Sequence, residues 1–125
     1  MNIKNVTVEI KPLKEVLGDA AKIIGKIKKG EAVKPKKGLS FGSVESFRQF
    51  FTPKRLELLR VIKHRQPQSV YELAKLTKRD IKNVVVDIKI LENYGLIDTK
   101  KIAVKGGYKV KPIFDYDKLN VEIAM

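Results

Sequence analysis

The chain has 125 residues and a formal net charge of +13, from 27 basic and 14 acidic side chains. It has no cysteine and one histidine, which excludes disulfides and thiolate metal sites and argues against Cys–His or Ser–His catalysis. No apolar run approaches the roughly 20 residues of a membrane span, and the N-terminus lacks a signal-peptide pattern, so we expect a cytoplasmic protein. The positive charge favours nucleic acid as partner; the plainer alternative is a lysine-rich surface that aids solubility.

The first part of the chain predicts a strand followed by a helix. Apolar and polar residues alternate over 6–10, as in a half-buried strand. Pro12 then suits a first helical position, and apolar residues follow at helical spacing to about Lys28–Lys29. Residues 28–38 are rich in Lys, Gly and Pro and predict a solvated basic linker. We therefore assign residues 1–38 to an N-terminal strand–helix extension with a basic linker.

The helix of this extension carries an apolar stripe that predicts a homodimer. Its members are spaced by four and three residues in turn: Leu13, Leu17, Ala20, Ile24 and Ile27. Such a stripe would be a liability on a monomer, so we expect the helix to pack against its twofold mate. The alternative is that the helix folds back onto its own domain, covered by strand 6–10. A strand predicted at 119–123 could pair with strand 6–10 within one chain or across the interface.

Residues 39–125 predict a winged helix-turn-helix domain, which makes the chain an α+β protein. A short helix capped by Ser43 comes first. Cap residues then predict three further helices: Thr52-Pro53 opens 53–65, the Ser69–Glu72 capping box opens 70–76, and Thr77 opens 78–93. Beyond Gly95 the pattern predicts a hairpin, about 96–111, with Gly106-Gly107 as its turn. Two helices joined by a tight turn and followed by a hairpin are typical of a helix-turn-helix with a wing.

Basic and amide side chains lie where such a motif contacts DNA. The predicted DNA-binding residues are Lys78, Arg79, Lys82 and Asn83 at the start of helix 78–93, and Lys105 near the wing tip. Arg can pair with both acceptors of guanine, and Asn with both edge groups of adenine, in a major groove that admits a helix. Lys105 is suited to a phosphate. Val86, on the same outward side, could meet a thymine methyl or pack against the wing.

Several of these segments also resemble a known family. Thr52-Pro53-Lys54-Arg55, Arg79-Asp80, Lys82-Asn83-Val84 and Gly95-Leu96-Ile97 are similar to the MarR-like winged helix-turn-helix transcriptional regulators of archaea and bacteria. The resemblance covers roughly residues 39–123 and implies a winged-helix fold and binding of double-stranded DNA. Val85 and Val86 depart from it, since the family more often has polar or basic residues there.

The sequence therefore predicts a sequence-specific transcriptional regulator with no enzymatic activity and no cofactor. One alternative is an antitoxin-like module that binds a partner protein and autoregulates its operon. Another is a nucleic-acid enzyme or an RNA-binding winged helix, which the absence of a carboxylate cluster and of exposed aromatic pairs disfavours. We interpret His64 as a surface residue, because no second metal ligand accompanies it.

Overall fold

A computed structural model describes residues 4–30 and 38–125, which form a mixed α/β structure. The described residues contain five helices: α1 (Leu13–Lys28), α2 (Val44–Phe50), α3 (Pro53–Arg65), α4 (Val70–Thr77) and α5 (Ile81–Asn93). They also contain five strands: β1 (Asn5–Ile10), β2 (Leu39–Phe41), β3 (Asp98–Val104), β4 (Gly107–Ile113) and β5 (Lys118–Ile123). Of the basic linker predicted over 28–38, residues 31–37 lie outside the described part.

The chain divides into two compact units. One contains Met1–Phe50 and Tyr116–Met125, and the other contains Phe51–Asp115. The sequence predicts a boundary at residues 38–39 instead. The difference arises because β1 pairs with both β2 and β5, which draws the start and the end of the predicted second domain into the first unit.

The first unit is built on a three-stranded parallel sheet in the order β2-β1-β5. The strands predicted at 6–10 and 119–123 thus pair within one chain, with Val8 beside Val121. Apolar residues of β1 on one face, at positions 6, 8 and 10, are all buried. Gly38 permits the close approach of β2 to β1, since a Cβ there would lie 2.5 Å from the carbonyl oxygen of Thr7.

Helix α1 ends at Lys28, as the sequence predicts, but Pro12 is the cap residue before it rather than its first residue. None of the residues of α1 is buried. A charged group links its second turn to the end of β1: the Lys11 ammonium lies 3.3 Å from Glu9 and donates to the Asp19 carboxylate. The Asp19 carboxylate, with a smaller effect from Glu9, raises the pKa of Lys11 above its usual value, which keeps this lysine charged.

Helix α2 begins after Ser43, whose Oγ accepts from the amide of Ser46 at 3.1 Å. It supplies aromatic packing at the β2 end of the sheet. Phe41 of β2 has its ring centroid 5.9 Å from that of Phe47 and 5.5 Å from that of Phe50. These contacts cover the apolar face next to Ile10, since Ile10 and Phe41 are register partners.

The second unit contains α3, α4, α5 and the antiparallel hairpin β3–β4. Helix α3 has the predicted bounds, because Thr52 accepts from the amide of Arg55 at 3.2 Å and Pro53 occupies the first turn. Helix α4 begins at the predicted capping box, where Ser69 accepts from the amide of Glu72 at 3.0 Å. The buried apolar side chains of the three helices and the segment after them are Leu58, Leu59, Ile62, Leu73, Ala74, Val84, Ile88, Leu91, Leu96 and Ile97.

Candidate nucleic-acid interface

A turn of three residues, 78–80, joins α4 to α5. Lys78 adopts a left-handed conformation with φ of 56°, and its amide donates to the carbonyl of Lys75 at 3.2 Å. The amide of Arg79 donates to the carbonyl of Ala74 at 3.0 Å. These two bonds satisfy carbonyls at the end of α4 and turn the chain toward the next helix.

Helix α5 begins three residues later than the sequence predicted. The start at 78 assumed a cap at Thr77, but the Thr77 hydroxyl donates to the carbonyl of Leu73 at 2.9 Å, so Thr77 closes α4. Asp80 is the cap instead, and its carboxylate accepts from the amide of Lys82 at 2.8 Å. Lys78 and Arg79 therefore belong to the turn, while Lys82 and Asn83 lie in the first turn of α5.

The two faces of α5 differ sharply in burial. Val84, Ile88 and Leu91 point into the unit and are buried. The outer face is exposed and carries Lys82, Asn83, Val86 and Lys89. Val86 is 55% exposed, so more than half of its surface is open to solvent. Lys89 was not among the predicted residues, although it follows Lys82 and Val86 at the spacing of four and three residues that marks one helix face.

Arg79 is engaged inside the protein rather than on this outer face. Its Nη2 donates to Oδ2 of Asp87 at 2.8 Å, and Nε of Arg55 donates to Oδ1 of the same carboxylate at 3.0 Å. The three side chains are only 13% to 17% exposed. The Nη1 of Arg79 is also buried and has no hydrogen-bond partner among the described residues. The guanidinium that the sequence predicts to contact a base or a phosphate is thus engaged by Asp87.

The shared carboxylate connects three elements of the second unit. Asp87 lies on α5, Arg55 on α3 and Arg79 in the turn between α4 and α5. Charge-assisted hydrogen bonds of this kind are short and roughly twice as strong as neutral ones. The pair of arginines therefore fixes the direction in which α5 leaves the turn. The sequence could not reveal this role of Asp87, because its partner Arg55 is 32 residues away.

The hairpin β3–β4 ends in the two-residue loop Lys105–Gly106, since Val104 pairs with Gly107. The turn predicted from the sequence lies one residue later, at Gly106–Gly107. Gly106 has φ of 87°, the left-handed value that the second loop residue of a type II turn requires. Lys105 is exposed at the tip, as predicted. The predicted start at Leu96 also moves, because strand pairing begins at Asp98.

The register of the hairpin places three lysines on one face. Lys100 lies directly opposite Lys111, and Lys109 lies opposite Ile102 on the same side. The opposite face carries Lys101, whose Nζ lies 4.8 Å from the ring centroid of Tyr108. Like charges directly opposite each other destabilise a strand pair, so the Lys100–Lys111 pair is a place where a bound anion would be stabilising.

The other residues singled out in the sequence lie elsewhere. The five apolar residues predicted for dimerisation are all exposed on α1: Leu13, Leu17, Ala20, Ile24 and Ile27. His64 is exposed in the last turn of α3. Within residues 4–30 and 38–125, no group of three His, Cys, Asp or Glu side chains could hold a metal ion. None of the helices in that part of the chain is long and apolar enough to cross a membrane.

The fold and the site define a mixed α/β protein whose second unit contains both a cationic, solvent-exposed helix face and a lysine-rich hairpin. The chain belongs to the HVO_A0114 family, whose model matches residues 50–121. Comparison with curated proteins and with solved structures finds no match for the chain.

Proposed function

We propose that the chain is a transcriptional regulator that binds double-stranded DNA as a winged helix-turn-helix protein and catalyses no reaction. In this proposal α4 and α5 are the helix-turn-helix, α5 enters the major groove, and the β3–β4 hairpin is the wing. The order of these elements and the three-residue connection between α4 and α5 support it. The resemblance of residues 39–123 to MarR-like regulators points the same way.

The observation that carries the proposal is the exposed outer face of α5. On this face Val86, 55% exposed, lies between Lys82 and Lys89, so an apolar group and two cations are open to a partner together. The same face offers groups that bases recognise. The amide of Asn83 can pair with both edge groups of adenine, and Val86 can contact a thymine methyl.

The positive charge of the second unit supports binding to the phosphate backbone. Residues 52–111 carry 15 basic and 6 acidic side chains, a surplus of 9, whereas residues 112–125 carry a surplus of 2 negative charges. The repulsion between Lys100 and Lys111 would be relieved by a phosphate between or beside them. Lys105 at the hairpin tip adds a cation that nothing buries.

The structure changes the role that we assign to Arg79. Because its guanidinium is engaged by Asp87, we propose that Arg79 is a positioning residue for α5. Base recognition is then assigned to Asn83, with Lys82 contacting a base or a phosphate. Lys78, which lies exposed in the turn, is suited to a phosphate.

The test is to select preferred sequences from random duplex DNA and to measure affinities by fluorescence anisotropy. Asn83→Ala should weaken binding to the preferred site by about 1–3 kcal/mol and relax the preference at one base pair. Asn93→Ala is the matched control, because it removes the same amide from an exposed position at the other end of α5. It should leave affinity nearly unchanged.

Two results would contradict the proposal. One is the absence of duplex binding at low salt. The other is an equal effect of Asn83→Ala and Asn93→Ala on affinity for every sequence. Failure to bind any duplex would favour the antitoxin-like alternative, in which the cationic surface of the second unit binds an acidic partner protein.

A further inference from the structure

The sheet of the first unit has an open edge at β5. In the order β2-β1-β5, β5 is an outer strand, and no other strand among residues 4–30 and 38–125 pairs with its far side. The amide of Lys118 donates to the carbonyl of Lys4 at 3.4 Å, and the amide of Ala124 donates to the carbonyl of Ile10 at 2.8 Å. The backbone amides of the even-numbered residues of β5 therefore point toward β1. Backbone direction alternates along a strand, and the amides of Leu119, Val121 and Ile123 therefore point outward.

Apart from the exposed Lys118, this edge lacks the features that usually prevent strand association. Natural edge strands carry proline, bulges or inward-pointing charges, whereas β5 is a regular six-residue strand without proline or glycine. Its apolar side chains lie on the same sheet face as the buried apolar residues of β1. However, Val121 is 43% and Ile123 55% exposed, so the apolar face is left uncovered at β5.

We propose that β5 of a second copy pairs with this edge, antiparallel and across a twofold axis at Asn120. A twofold axis allows only isologous pairing, in which each copy presents the same strand to the other. Centred on Asn120, it places Lys118 opposite Glu122 of the second copy, and the same ion pair forms again on the other side of the axis. On the apolar face it places Leu119 opposite Val121 of the second copy.

Charge and backbone geometry both favour this occupant and this register. Lys118 and Glu122 are exposed, and neither has a charged partner in the described part of the chain. An axis centred on Val121 would place Lys118 opposite Ala124 and leave both charges unpaired. An axis between two residues would put apolar side chains opposite polar ones. With the axis at Asn120, Leu119 and Val121 form the hydrogen-bonded pairs, and these are the residues whose amides point outward.

This interface differs from the one that the sequence predicted. The proposed interface forms through hydrogen bonds and ion pairs of β5, whereas the predicted one forms through the apolar stripe of α1. The proposal does not depend on DNA binding, because every residue that carries it lies in the first unit and its test needs no DNA.

The test is a charge swap read by sedimentation equilibrium of the full chain. Lys118→Glu and Glu122→Lys each convert two attractive cross-strand pairs into two repulsive ones, so each should raise the dimer dissociation constant about tenfold. Their equimolar mixture should regain tight association as a heterodimer, because one copy then presents two carboxylates and the other two ammonium groups. The double variant should also dimerise like the original chain.

Folding defects cannot produce this pattern of loss and recovery. In the register of β5 with β1, Glu122 lies beside Glu9, so Glu122→Lys replaces a like-charge neighbour and should not weaken the fold. Val121→Pro provides a second variant: it removes an outward amide that β1 does not use, and so should abolish the dimer while the monomer stays folded by circular dichroism. A monomeric chain at about 50 μM, where specific homodimers of micromolar affinity would form, would overturn the proposal. So would dimers that persist in the Val121→Pro variant, or a mixture of the single charge variants that does not recover.

Discussion

Removing the carboxylate of Asp87 should destabilise the second unit by about 2–4 kcal/mol. Each of its two charge-assisted hydrogen bonds, to Arg55 and to Arg79, is worth roughly 1.5–3 kcal/mol when a partner is removed. The side chains are 13% to 17% exposed, so solvent reduces this sum without cancelling it. Asp87→Ala also leaves two half-buried guanidinium groups close together without an anion, which adds repulsion.

Urea denaturation followed by circular dichroism measures this loss as a shift of the midpoint at constant slope. Asp98→Ala is the matched control, because Asp98 is an exposed aspartate of the same unit, at the start of β3. It should change the free energy of unfolding by less than about 0.5 kcal/mol. If Asp87→Ala lowered the free energy of unfolding no more than Asp98→Ala, the carboxylate of Asp87 would not be holding α3, the turn and α5 together.

Asp87→Ala also distinguishes the effect of α5 placement on DNA binding from the effect of net charge. Asp87→Ala raises the net charge by one, so electrostatics alone predicts tighter binding to any duplex. We expect weaker binding, because α5 is no longer held in place. Arg79→Ala should lower the affinity for the preferred and for a scrambled site by a common factor. A relaxed preference at one base pair would instead show that Arg79 contacts a base.

Three further predictions concern the hairpin and one helix cap. In an anisotropy titration, duplex affinity should fall by about two to four orders of magnitude between low and moderately high salt. The double variant Lys100→Ala, Lys111→Ala should reduce the slope of log affinity against log salt concentration by about two units. Lys105→Ala should weaken all duplex sequences about equally; a change in sequence preference would show that the hairpin tip contacts bases. Ser69→Ala should cost about 1 kcal/mol in urea denaturation, since it removes the acceptor for the amide of Glu72 and no apolar contact.

Local chemistry allowed much of the secondary structure to be predicted from the sequence. Helix α3 has its predicted bounds because a cap residue and a proline mark its start within two positions, at Thr52 and Pro53. A period of two residues was enough to predict β1 and β5, and a period of about 3.6 residues was enough to predict α1, since apolar residues recur there at the spacing of one face. The exposed positions of Lys82 and Asn83 follow from helical periodicity, and that of Lys105 follows from its place in the hairpin loop.

Where two local choices were equally good, only the tertiary structure decided between them. Thr77 and Asp80 are both good cap residues, and the sequence alone favoured the first. Packing of α4 against α5 instead places Lys78 in a left-handed conformation and gives the cap to Asp80. The hairpin turn moved by one residue for a similar reason, because either Lys105–Gly106 or Gly106–Gly107 can close it and the strand register selects the first.

Contacts between distant residues could not be derived from any local pattern. The pairing of β1 with β5 joins Asn5 to Lys118, and with it the start of the chain to its end. Arg79 and Arg55 both donate to the carboxylate of Asp87, and the sequence predicted neither contact. A strand needs a neighbouring strand, and a largely buried arginine needs an anion. The partner itself is selected by the free energy of the whole packed arrangement, which depends on residues far apart in the sequence.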